Sequence, residues 1–404
     1  MRIEESISRR APDGRRKTDL GSAVFLLGFI LILAVTTIRT TMLPYAQSDT
    51  FWVISYVLTI LVCVAMVAKA LFLDVYAKSW AKLLSVLLLV LVFCQSSFLV
   101  LSWELSVVLA LLVGSYGVDI RKILKVYLIE TGAITLVAMV LAVTGVIPNL
   151  PFEKFGRIRY AMGTIYCTDF AARIFFLTLV FLLLFHKNLK ILHLLALGVL
   201  AALVFIPTFG KLDFACSILI LLLFGIHKYV EGHKERSFSK TWGAAWPKIG
   251  LLSMPVAAVV MFLLSYFYSP ANALTRVVDE LTTGRLILGK NGFTEFGVTL
   301  LGQSVTYRGA YVLENYNFVD CSYLNMLFKE GVLAVLLVIA LYVILSKKYK
   351  DRPQVQYVIF ILAVNCMLAH HLIEITYNPI LLLLLSDCGG LFEGSAAKDP
   401  ESGK

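Results

Sequence analysis

Apolar runs long enough to cross a lipid bilayer recur along almost the entire chain of 404 residues. An α-helix needs about 20 apolar residues to cross ~30 Å of hydrocarbon, and its backbone polar groups must be satisfied within the segment. We therefore predict helices for these runs, of which we count twelve. Their approximate bounds are 21–38, 51–73, 83–99, 104–118, 126–147, 168–186, 191–206, 212–227, 248–267, 323–345, 355–372 and 377–388.

Composition agrees with this pattern. Hydrophobic residues make up 59% of the chain and the mean hydropathy is +0.84, which leaves no stretch that resembles a soluble domain. The predicted fold is an all-α, polytopic transmembrane helical bundle of about 12 spans with one long outer loop. A single transmembrane domain is predicted over 21–388, and the bilayer is its first partner.

The basic residues indicate the orientation. A net charge of +10 is compatible with nucleic acid binding, but the Lys and Arg residues lie mostly between the spans and no nucleic acid partner is expected. Cytoplasmic loops carry an excess of Lys and Arg, which places the basic tail 1–20 in the cytoplasm. The predicted location is the cell membrane, multi-pass, with a second cytoplasmic tail at 389–404. Outer loops are then predicted at 148–167 and 268–322.

Several reaction classes lack their sequence signals. The chain has no Gly-rich phosphate loop ending in Lys-Ser or Lys-Thr, no HExxH and no Gly-x-Ser-x-Gly, which disfavours ATP hydrolysis, zinc proteolysis and serine hydrolysis. Its seven cysteines show no CxxC spacing and are interpreted as small apolar residues. We predict no cofactor and no metal.

Arginines in the two long outer loops are candidates for binding an anion. Residues 273–281 show the apolar spacing of a short helix, and Arg285 follows it in the sequence LTTGRL. The planar guanidinium donates two parallel hydrogen bonds to phosphate and stays charged when partly desolvated. Arg285 is the first candidate and Arg308 the second, with Arg157 and Arg159 in the other loop. The alternative for each is a charge that faces solvent or lipid headgroups.

Only two of the six histidines, His370 and His371, are predicted at the outer face. On a helix Glu374 lies four residues after His370 and three after His371, so its carboxylate can reach either imidazole. Such a pair is a candidate general base, because the carboxylate orients the ring for proton transfer. The alternative is a polar helix end that binds loop backbone.

Further polar residues are candidates for contacting an acceptor or lining a cavity. They are Asp320, Tyr323, Asn378, Lys211 and Arg173. An unpaired cation inside a span is costly, so Arg173 needs either a partner, such as Asp169 one turn away, or a polar cavity. Asp320 precedes a predicted span, where the helix dipole favours an acid, and helix capping is its alternative role.

Four motifs in this order resemble the Wzy-type polysaccharide polymerases of bacterial capsule and exopolysaccharide clusters, within a wider family that includes O-antigen ligases. The motifs are LTTGRLILG, FGVTLLGQ, VDCSYLNMLFKEGVLAVLL and HHLIEITYNPILLLLL. The many-span layout extends the resemblance over most of the chain. Two departures exist: PTFGKLD has Lys211 where many relatives carry Arg, and MGTIYCTDFAAR lacks the His or Pro-Asn often found there.

The resemblance implies an enzyme that polymerises lipid-linked oligosaccharide repeat units at the outer face of the membrane. The growing glycan would pass from polyprenyl pyrophosphate to a sugar hydroxyl of the next lipid-linked unit. Arginines would neutralise the pyrophosphate, and His371 or His370 with Glu374 would act as the base. A flippase and a chain-length regulator are the implied protein partners.

Metal dependence and the competing functions can also be weighed from the sequence. Metal-dependent membrane glycosyltransferases need acidic ligands in an early outer loop, where this chain offers only Asp49, so a metal-independent glycosyltransferase is predicted. The first alternative is a flippase or transporter for the same lipid-linked glycans. The second is a ligase that moves the finished glycan to another acceptor.

Overall fold

The computed structural model describes residues 12–43, 48–74, 79–154, 156–233, 236–308 and 316–392. The predicted cytoplasmic tails therefore lie partly outside the described residues, from 1 to 11 and from 393 to 404. Residues 309–315 of the predicted outer loop 268–322 also lie outside them.

Helices account for most of the described chain, and together with two short strands they follow one another in this order. The first group is α1 (Pro12–Arg39), α2 (Asp49–Phe72), α3 (Ser79–Gln95), α4 (Glu104–Gly114), α5 (Ile120–Val143), β1 (Pro151–Lys154), β2 (Arg157–Tyr160), α6 (Cys167–Phe185), α7 (Ile191–Thr208) and α8 (Lys211–Gly232). The second is α9 (Ser237–Tyr266), α10 (Ala273–Leu281), α11 (Arg285–Glu295), α12 (Ser322–Lys329), α13 (Val332–Lys348), α14 (Pro353–Asn365) and α15 (Gly389–Phe392). A π-helical turn, Ser96–Val100, extends α3, and 3-10 helices occur at His186–Asn188, His371–Ile373 and Ile380–Leu384.

Eight helices among the described residues are long and apolar enough to cross a membrane. They are α1 from Asp19, α2, α3 with its π-helical end, α5, α6 with the 3-10 turn that follows it, α7, α8 and α9. The prediction of a nearly all-α, multi-pass membrane protein is confirmed at this level. The count of about twelve spans is not confirmed, because the predicted spans 104–118, 323–345, 355–372 and 377–388 contain shorter or interrupted helices.

A glycine divides the predicted span 323–345 into α12 and α13. Gly331 has φ of +89°, a left-handed conformation that favours glycine, and a Cβ at this position would overlap the backbone of Gly302. The backbone N–H of Gln303 donates to the Lys329 carbonyl at 2.9 Å, and that of Val332 donates to the Thr299 carbonyl at 3.0 Å. The segment 299–303 therefore packs into the break and satisfies its backbone groups.

The apolar stretch after α14 is buried without forming a long helix. Its residues 380–384 form only a 3-10 helix of five residues, and all five side chains are buried. Side chains satisfy its carbonyls: the Tyr349 hydroxyl donates to Leu383 at 3.0 Å, and the Lys348 ammonium to Leu384 at 2.8 Å. Irregular backbone is tolerated at membrane depth when protein surrounds it. This segment is apolar because it forms core, which explains why its composition predicted a span.

A β-hairpin replaces the loop predicted at 148–167. Strands β1 and β2 pair antiparallel in the register Pro151↔Tyr160, Phe152↔Arg159, Glu153↔Ile158 and Lys154↔Arg157. Gly156, in the connection, has φ of +70°. The chain just after the hairpin is joined to the chain just after α1 by the Met42 N–H, which donates to the Gly163 carbonyl at 2.9 Å. Because side chains alternate across a strand, this register points Arg157 and Arg159 the same way.

Helix packing brings several irregular segments to one place. The helix α6 packs against α5, α7 and α8, while α9 packs against α8, α11, α13 and α14. The start of α6, the turn between α7 and α8, the junction between α10 and α11 and the chain after α14 then lie around one space. That space is the cavity described below.

Replacing Gly331 with Ala is expected to lower the stability of the fold by about 2 kcal/mol or more, because the new Cβ meets backbone and the left-handed conformation adds strain. Thermal unfolding of the purified protein in detergent measures the change. Gly132→Ala, in α5 with open space around the position, is the matched control and should raise stability slightly. Equal melting temperatures for both variants would contradict this account of the break.

Candidate functional site

A cavity of about 1000 Å³ lies between the hairpin and the helix ends. Its walls come from β1 and β2, the first residues of α6, the α7–α8 turn, the α10–α11 junction, and parts of the segments 316–320 and 368–371. The charged and imidazole-bearing side chains of the lining are Glu153, Arg159, Lys211, Asp213, Arg285, Asp320, His370 and His371. Arg285 and His371, which the sequence placed in different parts of the chain, therefore line the same cavity.

Arg285 is the first residue of α11, and a tight break puts it there. The predicted helix at 273–281 is confirmed as α10. Thr283 and Gly284 then both adopt left-handed backbone conformations, with φ of 58° and 87°. For Thr283, a β-branched residue, this conformation is strained. The buried Asp279 carboxylate accepts hydrogen bonds from the N–H groups of Leu286 and Ile287 at 2.8 and 3.0 Å, which caps α11.

The Arg285 guanidinium forms an ion pair with Asp320. Helix capping, the alternative role of Asp320, is wrong, because the residue at the N-cap of α12 is Cys321 and Asp320 lies one position before it. The second oxygen of Asp320 faces His370, with Oδ1 4.0 Å from His370 Nδ1. Asp320 therefore links the α10–α11 junction to the histidine pair.

Both histidines contact the carboxylate predicted for them. His370 Nε2 lies 3.4 Å from Glu374 Oε1, and His371 Nδ1 lies 3.3 Å from Glu374 Oε2. The prediction assumed an α-helix here, whereas α14 ends at Asn365 and only residues 371–373 form a 3-10 helix. The contacts persist because three- and four-residue separations also bring side chains together in tighter turns.

Ser322 holds the turn that carries the histidines. Its hydroxyl donates to the Ala369 carbonyl at 2.6 Å and accepts from the Leu372 N–H at 3.2 Å. The His371 ring stacks on the Tyr377 ring with centroids 3.8 Å apart. The imidazole of His371 is therefore fixed by Tyr377 and lines the cavity with only 3% of its side chain exposed. A polar helix end that binds only loop backbone would not line a cavity.

Burial shifts the pKa values of Glu374 and His371, which lie after the end of α14. Burial raises the pKa of Glu374 to about 7, although the neighbouring His370 opposes the shift. Burial also lowers the pKa of His371 to about 3. The imidazole of His371 is therefore neutral near pH 7, and a base with so low a pKa needs an ionised carboxylate beside it to stabilise the imidazolium that forms. Glu374 and the two imidazoles are best treated as one titrating unit.

Two further cations, Arg159 and Lys211, line the cavity. Arg159 is 7% exposed, and its guanidinium contacts the Tyr166 hydroxyl at 3.4 Å. The Lys211 ammonium lies 5.1 Å from the centroid of the Phe209 ring. Within the described part of the chain, neither forms an ion pair with a carboxylate. These cations and Arg285 are thus the positive groups that an anion in the cavity would meet.

The other two candidate arginines do not line the cavity. Arg308 Nη2 donates to Glu295 Oε1 at 2.7 Å. The Arg157 guanidinium lies over the Phe209 ring, 4.3 Å from its centroid, and donates to the Ile206 carbonyl at 3.4 Å. Sequence spacing could not separate Arg157 from Arg159, because both lie on the same face of β2 and only the packing of the hairpin decides which one reaches the cavity.

Tyr323 and Asn378 are buried and satisfied by the protein itself. The Tyr323 hydroxyl donates to the Ala363 carbonyl at 3.0 Å. The Asn378 amide donates to the Tyr342 hydroxyl and to the Leu372 carbonyl, each at 2.8 Å. Tyr323 thus binds α14 and Asn378 supports the turn after it, and neither residue lines the cavity.

Arg173 is fully buried in α6. Its guanidinium donates to the Thr37 carbonyl at 3.1 Å and to the Thr40 hydroxyl. Arg173 and Asp169 are both among the described residues, and they do not form the ion pair that was the alternative. The side chain instead joins α6 to the end of α1, and its guanidinium lies 5.6 Å from the centroid of the Tyr377 ring.

Three residues near the site were not identified from the sequence. Asp279 caps α11, Ser322 holds the histidine turn, and Tyr316 donates from its hydroxyl to Asp320 Oδ2 at 3.4 Å. For Asp279 alone the sequence offers a usable signal, an acid six residues before the start of a helix. The contacts of Ser322 and Tyr316 depend on segments brought together only by folding.

Among the described residues, His370, His371 and Glu374 form a group that could hold a metal ion, with potential ligand atoms within 4.8 Å of one another. The same atoms can instead share a proton, since each Glu374 oxygen faces a different imidazole. The two uses exclude each other. The proton-sharing arrangement is the one that agrees with the metal-independent chemistry predicted from the sequence.

Asp279→Ala is expected to lower the free energy of unfolding by about 0.5–2 kcal/mol, because α11 loses the carboxylate that caps it. Thermal or denaturant unfolding in detergent measures the loss. Glu280→Ala removes the neighbouring exposed carboxylate and should leave stability within about 0.5 kcal/mol of the wild type. A neutral result for Asp279→Ala would show that other contacts hold the junction.

Comparison with known proteins gives no relative for this chain. No model of a known protein family matches it, no curated protein matches it, and no solved structure matches it. The functional case therefore depends on the side chains of the cavity and on the local motifs of the sequence.

Proposed function

We propose that this chain is a metal-independent membrane glycosyltransferase that polymerises lipid-linked oligosaccharide repeat units. It would transfer the growing glycan from polyprenyl pyrophosphate to a sugar hydroxyl of the next lipid-linked unit. The observation that carries the proposal is the cavity itself, in which the Arg285 guanidinium and the His370–His371–Glu374 group line or adjoin one space. The order of sequence motifs supports the choice of substrate.

The acceptor side of the reaction needs a base. As the bond between the donor sugar and its pyrophosphate breaks, a bond forms from that sugar to the acceptor oxygen. The acceptor hydroxyl proton passes to His371 or His370, and Glu374 stabilises the imidazolium. His371 is the preferred base, because stacking on Tyr377 fixes its ring. Positioned proton transfer of this kind typically contributes ~10² to 10⁴ in rate.

The donor side needs positive charge. A pyrophosphate leaving group carries its negative charge away, and fixed cations stabilise that charge as it develops. Arg285, Arg159 and Lys211 line the cavity and are the proposed cations. In this proposal Arg308 and Arg157 stabilise the loops and do not bind the pyrophosphate, because Arg308 is paired with Glu295 and Arg157 lies over Phe209.

The proposed substrate also determines on which side of the membrane the cavity must open. The distribution of Lys and Arg supports a cytoplasmic N-terminus in the cell membrane, with the segments 148–167 and 268–322 at the outer face. This placement requires the shorter apolar helix α4 to cross as well, because an even number of the eight long helices precedes each segment. Both segments contribute to the cavity, which would then face the outer leaflet. A flippase and a chain-length regulator remain its proposed protein partners.

The test is a deletion strain complemented with variants of the gene. Loss of polymer, with single repeat units still reaching the cell surface, is expected. Repeat units trapped inside would favour a flippase, and normal polymer that fails to join its final acceptor would favour a ligase. Arg285→Ala and His371→Ala should each lower polymer formation at least ~100-fold at equal protein level.

Arg308→Ala is the matched control for Arg285→Ala. Both remove a paired arginine from the segment 268–322, but only Arg285 lines the cavity. Arg308→Ala should therefore retain most polymer formation, and a chelator should leave turnover of the purified protein unchanged. Wild-type polymer from both Arg285→Ala and His371→Ala would reject the proposed site.

Activity is expected to fall with acid below about pH 7. Glu374 must be ionised to stabilise the imidazolium, and its raised pKa, about 7, means that protonation removes this support as the pH drops through that value. Turnover measured from pH 5 to 9 should fall about tenfold per unit well below pH 7 and reach a plateau above it. Glu374→Gln should be slower at every pH and should not show this decrease of turnover below pH 7. If the decrease persists in the variant, a group other than Glu374 causes it.

A further inference from the structure

Asp320 occupies the space between the two halves of the proposed site. It forms the ion pair with Arg285, its Oδ1 lies 4.0 Å from His370 Nδ1, and its Oδ2 accepts a hydrogen bond from the Tyr316 hydroxyl at 3.4 Å. The side chains of Arg285 and Asp320 are only 19% and 14% exposed. A carboxylate that faces a guanidinium on one side and an imidazole on the other can shift its contact from one to the other.

The pair also creates a conflict for an incoming anion. A pyrophosphate at Arg285 would bring further negative charge beside the Asp320 carboxylate, and like charges in a partly desolvated space repel strongly. Arg285 cannot serve both anions equally well. By contrast, placing the guanidinium on pyrophosphate and the carboxylate on imidazolium gives every charged group a partner of opposite sign.

We propose that Asp320 is an exchangeable counter-ion, which holds Arg285 while the cavity is empty and moves to His370 when a diphosphate takes the guanidinium. The proposal deepens the proposed function and rests on it for turnover, but its binding step requires only a diphosphate. Asp320 is thus a positioning residue that couples arrival of the donor to assembly of the base.

The surroundings of His370 allow this exchange. The groups that face its ring are Glu374 at 3.4 Å, His371 with ring centroids 4.2 Å apart, and Phe318 with ring centroids 4.9 Å apart. Glu104 acts on it electrostatically. A hydrogen bond between Asp320 and His370 requires Oδ1 to approach by about 1 Å from its present separation. Residues 316–321 have no regular secondary structure, so a small rotation there breaks no helix.

The binding arm of the test uses inorganic pyrophosphate and the purified full-length protein in lipid nanodiscs. Titration calorimetry of Asp320→Asn should give about tenfold tighter binding than the wild type, because Arg285 no longer has a competing carboxylate. Arg285→Gln should bind more weakly, and the double variant should lose the gain of Asp320→Asn. Unchanged or weaker binding by Asp320→Asn would overturn the proposal.

Glu295→Gln is the matched control, since it removes the carboxylate partner of Arg308, which does not line the cavity. Its affinity for pyrophosphate should equal that of the wild type. If the Asn variant folds poorly, Asp320→Ser tests the same loss of charge. This variant should also bind pyrophosphate more tightly than the wild type. Equal gains for Glu295→Gln and Asp320→Asn would mean that overall charge, and not exchange at Arg285, sets the affinity.

The turnover arm separates this proposal from the proposed function. Asp320→Asn should lower both KM for the donor and kcat. We expect kcat to fall at least ~10-fold, because the row of Asp320, His370 and Glu374 beside His371 loses a carboxylate. A purely structural role would weaken binding and turnover together. Should the chain prove not to polymerise glycans, the pyrophosphate affinities alone still decide whether Asp320 competes for Arg285. Tighter binding with unchanged kcat would overturn the coupling to the base.

Discussion

The requirement that every backbone polar group find a partner away from water shapes the whole molecule. Most of the chain meets it with helices, which bind their own N–H and C=O groups. The stretch after α14 meets it differently, since Tyr349 and Lys348 bind its carbonyls and Ser322 holds its first turn. Because helices enclose this stretch, its backbone can be non-helical, and this conformation places two adjacent histidines at the cavity.

Charge inside the cavity is organised by carboxylates. Asp320 connects Arg285 with His370, and Glu374 places one oxygen on each imidazole. A continuous row of side chains therefore runs from the α10–α11 junction to the turn after α14. Its members, in order, are Arg285, Asp320, His370, Glu374 and His371. An anion at one end of such a row and a proton acceptor at the other are the two requirements of transfer from a diphosphate to a hydroxyl.

Local patterns explain which predictions are confirmed. The helix at 273–281 follows from apolar spacing, and the contacts of Glu374 with both histidines follow from separations of three and four residues. Predictions that needed a long-range partner were less secure. Arg308 pairs with Glu295, Asp320 pairs with Arg285 and does not cap α12, and Arg173 binds the end of α1. Nothing in the neighbouring sequence specifies those partners.

The sequence by itself determined that the chain is a multi-pass helical membrane protein, because apolar runs of this length leave the backbone no other way to satisfy itself in hydrocarbon. It also determined that the last histidines and Glu374 would meet, since that contact is local. Tertiary structure decided which arginines line the cavity and which apolar segments are core instead of spans. Those choices depend on how the hairpin packs against the helices, on the break at Gly331 and on the ion pair of Arg285 with Asp320. Each of these joins residues whose proximity arises only when the helices pack.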